Sequence, residues 1–146
     1  MKILIVGCGK VGYTLAKTLT LEKHDITLVD KDEQRINKIT TEVDCMGVVG
    51  SGAIQSVLME AQVDKTDCLI ACTDSDEINI LTCMIARKCS ECKTIARIRN
   101  PEYAKQIKYI MNELDISTTI NPEQAAAIAA AALAAASMSD IAVLSE

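Results

Sequence analysis

The chain has 146 residues, of which 49% are apolar, and it carries a formal net charge of −5 with a pI near 4.9. Its length and composition predict one ordered globular domain with a sizeable core, and its negative charge argues against nucleic acid or an anionic membrane surface as the main partner. No apolar run approaches the ~20 residues of a membrane span, and the N-terminus lacks the basic-then-apolar pattern of a signal peptide.

The first thirty residues predict the mononucleotide-binding half of a Rossmann unit. The apolar run Met1–Val6 predicts a strand, and the sequence GCGKVG of the turn Gly7–Gly12 follows it directly. A helix is expected from about Gly12 to Leu21, and a second strand, Ile26–Asp30, ends on an acidic residue. Strand, glycine turn, helix, strand and acid is the order of elements that binds a dinucleotide.

Each part of this unit has a physical role in binding phosphates and ribose. Gly7 allows the chain to turn sharply, Gly9 lets a pyrophosphate approach the backbone, and Gly12 lets the helix pack closely on the sheet. The unpaired amides and the positive dipole at the helix N-terminus favour a diphosphate. Asp30 follows at about the ~20-residue distance expected of the acid that accepts ribose hydroxyls. Its carboxylate repels a 2′-phosphate, which favours NAD(H) or a simple adenine nucleotide over NADP(H), although the adjacent Lys31 weakens this exclusion.

The rest of the chain alternates between strand and helix patterns, which predicts a parallel sheet covered on both faces. In chain order, the expected elements are a helix over Asp32–Thr41, a strand over Cys45–Val49, a helix over Ala53–Ala61, a strand over Asp67–Cys72, a helix over Asp76–Lys88, a strand over Thr94–Ile98, a helix from Pro101, a strand near Ile116–Ile120 and a helix opening at Pro122. Apolar spacing predicts that the helices turn the following residues toward the sheet: Val11, Leu15 and Leu19; Ile36 and Ile39; Ile54, Leu58 and Ala61; and Ile78, Leu81 and Ile85.

Six strands in this rhythm predict an α/β fold, a Rossmann-like doubly wound parallel sheet in the order 3-2-1-4-5-6. A nucleotide would lie over the carboxyl ends of the strands, at the switch point between strands one and four. The turns at those ends hold the candidate ligand-binding residues: Gly7–Gly12, Asp30 and Lys31, Gly50, Ser51 and Gly52, Cys72, Thr73 and Asp74, and Arg97–Asn100.

The C-terminal segment has an unusual composition, because every residue from Ala125 to Ala136 is alanine except Ile128 and Leu133. Alanine favours a helix, but two large apolar residues do not make a stripe that docks firmly. Three explanations remain open: a natural low-complexity helix, deliberate replacement by alanine, or side chains truncated to alanine, with the last two favoured. We therefore divide the chain into a nucleotide-binding domain over residues 1–121 and an altered or truncated crossover helix and tail over residues 122–146.

The turns at the strand ends resemble those of the RCK/KTN domains, the cytosolic regulators of potassium channels and of Trk- and Ktr-type potassium uptake systems. The resemblance covers about Met1 to Gln124, and the last three of its motifs are unusual for dehydrogenases. It is carried by GCGKVG at residues 7–12, Asp30 at the end of strand two, Gly50-Ser51-Gly52, IACTDSDEIN at residues 70–79, IARIRNPEY at residues 95–103 and INPEQ at residues 120–124.

This resemblance implies roles for the candidate residues. Ser51 departs from the aspartate that many relatives carry at its position, so no charged ligand contact is carried over to it. For Arg97, an ion pair with Glu102 or Asp74 is the alternative to a phosphate contact. The implied roles are phosphate binding by Gly7, Cys8, Gly9, Lys10 and Val11, ribose binding by Asp30, contacts to the diphosphate or the second ribose by Thr73 and Asp74, and phosphate binding by Arg97.

The resemblance also implies a ligand and partners. The ligand would be an adenine nucleotide, either NAD(H) or ATP and ADP. The domain would form a homodimer or a larger ring and would act on a membrane potassium transporter or channel subunit. It would then be cytoplasmic, held at the inner face of the membrane only through that partner, without inserting into the bilayer.

An NAD-dependent oxidoreductase or a redox-sensing Rossmann domain is the alternative function. A dehydrogenase needs a substrate domain and a general acid or base, whereas the one histidine, His24, falls in a turn at the opposite end of the sheet from the glycine turn. The seven cysteines are an odd number, and several fall inside predicted buried strands or helices, which fits reduced cytosolic thiols. Cys89 and Cys92 form one CxxC pair, which is only half of a zinc site. We therefore expect a nucleotide sensor with no catalytic and no metal site.

Overall fold

The structure, a computed structural model, describes the backbone of residues 1–114 and 118–120, together with the side chains of residues 1–107 and 109. Helices and strands alternate along the whole of this part of the chain. The elements are β1 (Lys2–Val6), α1 (Lys10–Leu21), β2 (Asp25–Asp30), α2 (Glu33–Glu42), β3 (Met46–Val49), α3 (Gln55–Glu60), a 3₁₀ turn (Val63–Lys65), β4 (Cys68–Ala71), α4 (Asp76–Cys89), β5 (Lys93–Arg97), α5 (Pro101–Leu114) and β6 (Thr118–Ile120).

The strands form a six-stranded parallel sheet in the order β3-β2-β1-β4-β5-β6, which confirms the predicted doubly wound topology. β1 lies between β2 and β4, with Val6 aligned with Val29 on one side and with Ala71 on the other. The chain therefore leaves the carboxyl ends of β1 and β4 in opposite directions. A crevice opens at this point in such sheets.

Two apolar layers cover the sheet, and β1 contributes to both. Ile3 and Ile5 enter the layer beneath α1 and α2, whereas Leu4 and Val6 enter the layer beneath α3, α4 and α5. This alternation follows from the two-residue period of a strand. Because the chain has no Phe and no Trp, aliphatic side chains and cysteines fill both layers.

The observed helix ends differ from the predicted ones by a few residues. α1 begins at Lys10, two residues before the predicted start, because Gly9 already has the extended conformation of an N-cap. α3 begins at Gln55 rather than Ala53, and the 3₁₀ turn after it was not predicted. The helix predicted from Pro122 and the segment 122–146 lie outside the described residues, as does the domain boundary at residue 121.

The buried faces of α1 and α2 agree with their apolar spacing, but that of α4 does not. Leu15, Leu19, Ile36 and Ile39 are buried as predicted. Leu81 is 44% exposed, and Ile54, predicted to face the sheet, is 51% exposed. Small and polar residues let α4 pack closely on β4 and β5 and bond to the loops that follow those strands. The residues that α4 buries are Asp76, Asn79, Thr82, Cys83 and Ala86.

Within the described residues, none of the helices combines the length and the apolar character needed to cross a membrane.

Replacing Leu19 with alanine should lower the free energy of unfolding by about 2–5 kcal/mol, because the buried side chain leaves a cavity beneath α1. Leu21, two residues further along the same helix, is 83% exposed. Leu21→Ala is therefore the matched control and should change stability by less than about 0.5 kcal/mol. Urea unfolding followed by circular dichroism measures both values. Equal losses in the two variants would contradict the observed orientation of α1.

Candidate functional site

A cleft of about 790 Å³ lies at the carboxyl ends of the strands, over the switch point between β1 and β4. Its volume lies within the range usual for cofactor sites. Loops after β1, β2, β3, β4 and β5 all reach it. The lining residues are Val6, Gly7, Gly9, Lys10, Val11, Thr14, Val29, Asp30, Lys31, Arg35, Gly50, Ser51, Gly52, Cys72, Thr73, Asp74, Ser75, Ile78, Arg97 and Arg99.

The glycine loop between β1 and α1 depends on the absence of side chains at two positions. Gly7 has a φ of +106°, which L-residues rarely adopt, and a Cβ there would lie 2.8 Å from the Thr73 backbone nitrogen. A Cβ on Gly12 would lie 1.8 Å from the carbonyl oxygen of Gly7. These contacts bring the first turn of α1 directly against the end of β1.

Gly9 keeps the cleft side of the loop open. Among the described residues, a Cβ built there would meet only the Arg35 guanidinium, at 3.9 Å, and no described backbone occupies the space above it. Gly9 is also the N-cap of α1, and no side-chain oxygen accepts hydrogen bonds from the first amides of the helix. Free amides and a positive helix dipole facing an open cleft can bind an anionic diphosphate.

Asp30 ties the glycine loop to the end of β2. Its Oδ2 accepts a hydrogen bond from the Cys8 amide at 2.7 Å, and its Oδ1 accepts one from the Asp32 amide at 2.8 Å. The Arg35 guanidinium lies 3.9 Å from Oδ2. The carboxylate therefore holds the loop in shape as well as facing the cleft where a ribose would lie.

Asn79 joins the loops that follow β4 and β5. It is fully buried, its Oδ1 accepts hydrogen bonds from the amide and the hydroxyl of Thr73, and its Nδ2 donates to the carbonyls of Thr73 and Arg97. The carboxylate of Asp76, one turn earlier on α4, accepts hydrogen bonds from the backbone amides of Arg99 and Asn100, at 2.9 and 2.8 Å. The first turn of α4 therefore fixes two of the loops that line the cleft.

Arg97 reaches into the cleft from the end of β5. Its side chain is only 14% exposed, and its Nη1 lies 3.7 Å from the Asp74 carboxylate and 3.5 Å from the Cys72 carbonyl oxygen. Its Nε is buried and has no hydrogen-bond partner among the described residues. The predicted contact to Asp74 is thus present but loose, and the guanidinium retains donors for an anion.

The structure brings eleven of the thirteen predicted site residues to the cleft: Gly7, Gly9, Lys10, Val11, Asp30, Lys31, Ser51, Gly52, Thr73, Asp74 and Arg97. Cys8 and Gly12 lie beneath this surface, where Cys8 offers its amide to Asp30 and Gly12 allows close packing. Sequence reasoning included Arg99 only within the candidate turn Arg97–Asn100, and it missed Arg35 in the lining and Asn79 as a support. Arg99 follows Arg97 by two residues, a spacing that would have assigned it the same side as Arg97.

The cysteines are free thiols, and five of the seven are buried. Desolvation raises the pKa of the Cys72 thiol, beneath the cleft, to about 12, and it raises that of Cys68 to about 12 as well. Cys92 of the CxxC pair is buried, and its pKa is also raised by burial. Among the described residues, no group of three or more His, Cys, Asp or Glu side chains is placed to hold a metal ion.

His24 lies far from the glycine loop in the fold, beside the amino terminus. Its Nδ1 is 3.1 Å from the Met1 amine, at the opposite end of β1 from the cleft. The histidine therefore has no position from which to act on a ligand bound over Gly9.

Comparison with known proteins identifies the family. Residues 3–122 match the TrkA-N domain. The chain belongs to the TrkA-N domain family. It is 40% identical over 126 residues to the Trk system potassium uptake protein TrkA of Halomonas elongata, which covers 85% of this chain and 28% of that protein. It is 35% identical over 127 residues to a TrkA homolog of Methanothermobacter thermautotrophicus, which covers 87% of this chain and 57% of that protein. The chain thus spans between a quarter and three-fifths of these relatives.

Solved structures of similar fold cover most of the chain. The GsuK channel bound to NAD aligns with a TM-score of 0.70 at 21% identity, covering 82% of this chain and 21% of that one. The GsuK structure bound to ADP aligns with a TM-score of 0.69 at the same identity, covering 82% of this chain and 31% of that one. At this level of identity the likeness shows a shared fold.

Alanine at Gly12 should destabilise the protein by at least about 2 kcal/mol, because its Cβ would overlap the Gly7 carbonyl oxygen. Gly9→Ala is the control within the same loop, since its Cβ enters open space and its φ of −72° suits any residue. That variant should remain within about 0.5 kcal/mol of the wild type. Chemical unfolding measures the free energy of unfolding of both variants. A Gly12→Ala protein as stable as the wild type would show that α1 can pack against the end of β1 in another way.

Alkylation at pH 8 should modify the half-buried Cys89 before the buried Cys68 and Cys72. The raised pKa of the two buried thiols leaves less thiolate at this pH than an ordinary cysteine has, and only the thiolate reacts. Mass spectrometry of timed iodoacetamide reactions measures the order. In guanidinium chloride the differences should vanish, and a fast-reacting Cys72 in the folded protein would favour a redox role.

Proposed function

We propose that this chain is a nucleotide-sensing regulatory domain of a potassium uptake or channel system, and that it binds NAD(H) or ATP and ADP without chemically altering them. The cleft over the glycine loop is the proposed binding site. The diphosphate would lie on the N-terminus of α1, with Gly9 beneath it, and the adenosine ribose would face Asp30.

The local charge of the cleft is the observation that carries this proposal. The chain has a formal net charge of −5, yet among the described residues two acidic side chains line the cleft against five basic ones. An excess of cations around free helix amides favours a ligand with two or more phosphate charges. The lining side chains in question are Asp30 and Asp74 on the acidic side, and Lys10, Lys31, Arg35, Arg97 and Arg99 on the basic side.

Support for an adenine nucleotide comes from the shared part of the candidate ligands. NAD(H), ATP and ADP all contain adenosine diphosphate, and the glycine loop with Asp30 is suited to this portion. The similar GsuK structures hold NAD in one case and ADP in the other. Both ligands therefore remain within the proposal.

A binding role is better supported than catalysis by the residues around the cleft. General acid–base catalysis needs a titratable group within hydrogen-bond reach of the reacting atom. His24 is at the far end of β1, and burial raises the pKa of the nearby thiol of Cys72. These positions support a domain that reports the presence of a nucleotide.

The supports of the cleft suggest how binding would reach a partner. Thr73 and Arg97 line the cleft, Asn79 bonds to both, and Asp76 holds the Arg99 amide just before α5 begins. A ligand that changes the loops after β4 and β5 would therefore displace the start of α5. Only nucleotides that bind two arrangements with different affinities would shift their populations.

The partner proposal rests on the family. The relatives named above are potassium uptake proteins of the Trk system. We propose that this chain acts at the inner face of the membrane as a homodimer or ring that contacts a potassium transporter or channel subunit, and that the INPEQ segment passes the change to that subunit. A monomeric mass at micromolar concentration would count against this assembly.

NADH and ATP should each raise the melting temperature of the wild-type protein, since a ligand at 100 times its Kd stabilises the folded state by about 2.7 kcal/mol. Gly9→Ala should fold normally but bind both nucleotides at least about tenfold more weakly, because its methyl group occupies the space that the diphosphate needs. Thermal shift assays and calorimetry measure these effects, with Leu21→Ala as the control outside the cleft. Unchanged affinity in Gly9→Ala would refute the proposed phosphate position. Hydride transfer from NADH to a small carbonyl compound would instead favour the alternative function, an NAD-dependent oxidoreductase.

A further inference from the structure

A second, smaller groove of about 300 Å³ lies beside the glycine loop, between α1 and α2. We refer to it as the α1–α2 groove. Nothing in the proposed binding of NAD(H), ATP or ADP uses its far side. Its lining consists of Cys8, Gly9, Lys10, Tyr13, Arg35 and Lys38.

The α1–α2 groove opens from the main cleft at the point where the adenosine ribose would lie. Gly9, Lys10 and Arg35 line both depressions. The Arg35 guanidinium spans the junction, 3.9 Å from Asp30 Oδ2 on one side and 3.9 Å from the position of a Cβ on Gly9 on the other. A substituent on a ribose hydroxyl that faces Asp30 would therefore point past Arg35 into the groove.

The side chains of the groove favour an anion. Within the part of the chain that the structure describes, Lys10, Arg35 and Lys38 of the six lining residues are basic, and none is acidic. The Lys38 ammonium lies 5.6 Å from the centre of the Tyr13 ring, which forms the groove wall, and the Tyr13 hydroxyl donates its hydrogen bond to Glu42. A guanidinium flanked by ammonium groups in a concave surface is suited to a phosphomonoester.

The acidic side chains closest to Arg35, those of Asp30 and Asp32, already have partners within the protein. Both oxygens of Asp30 accept backbone amides, from Cys8 and Asp32, which partly compensates the charge that would repel a phosphate. Arg35 pairs with Asp30 and Asp32 at 3.9 and 3.7 Å, distances that leave its N–H groups free of short hydrogen bonds to either carboxylate. Arg35 is half exposed, so it can turn toward a new anion without leaving the junction.

We propose that the α1–α2 groove is a subsite for a phosphate on the 2′-position of the adenosine ribose. The domain would then accept 2′-phosphorylated adenine nucleotides, the class that includes NADP(H), in addition to NAD(H). This proposal rests on the proposed nucleotide function and changes the expectation drawn from Asp30 alone, because Arg35 and Lys38 offset the repulsion by that carboxylate. An arginine close to the ribose serves the same purpose in other Rossmann folds.

The test compares 2′,5′-ADP with 5′-AMP, two ligands that differ by the 2′-phosphate alone. The readout is the ratio of their dissociation constants, measured by calorimetry at low ionic strength, because the ratio cancels changes that affect both ligands. In the wild type, 2′,5′-ADP should bind at least as tightly as 5′-AMP. Arg35→Gln and Lys38→Gln should each reduce the preference for 2′,5′-ADP by about tenfold, the usual scale for a lost charge-assisted hydrogen bond.

Lys65→Gln is the matched control, since it removes the same charge from the 3₁₀ turn, outside both depressions. Its ratio should equal that of the wild type. A wild type that binds 5′-AMP but binds 2′,5′-ADP at least tenfold more weakly would overturn the subsite and leave the proposed function intact, as would ratios unchanged in both groove variants. If neither these two ligands nor NADH and ATP bind, the proposed function falls together with the subsite.

Discussion

The seating of α1 against the end of β1 is the constraint on which the rest of the site depends. It requires that the Cα of Gly12 approach the Gly7 carbonyl more closely than any side chain would allow. This approach directs the first amides of α1 into the crevice at the carboxyl ends of β1 and β4. At the end of β2, the Asp30 carboxylate accepts a hydrogen bond from the Cys8 amide and so holds the glycine loop in this conformation. The cleft is therefore shaped by backbone groups, and side chains add charge to it.

The strand order and the glycine loop were predictable because both follow from local sequence spacing. A two-residue or 3.6-residue period identifies each element, and the handedness of parallel crossovers then restricts how the strands can be ordered. The position of Arg35 was not predictable in the same way. It lies on an exposed helix face, where a charged residue normally meets solvent, and only the close approach of α2 to Gly9 brings it over the loop.

The failed prediction for α4 has a different cause. Apolar spacing assigns Ile78, Leu81 and Ile85 to the buried face, yet the helix is rotated so that Asn79 is fully buried and Leu81 is exposed. A buried amide is tolerated only when its donors and acceptors are satisfied. Here the partners are backbone and hydroxyl groups of loops that are distant in sequence, such as the Arg97 carbonyl. Spacing along one helix carries no information about such partners.

Asn79 bears on how the loops around the cleft can vary among related sequences. One amide holds the loop after β4 at Thr73 and the loop after β5 at Arg97, and both bonds depend on a single helix position. An added or deleted residue in either loop would move one backbone partner out of reach of Asn79. The buried amide would then be left with an unsatisfied hydrogen-bonding group. Length variation should therefore concentrate in the connections that Asn79 does not touch, such as the one between α2 and β3, and the two tied loops should keep their lengths together.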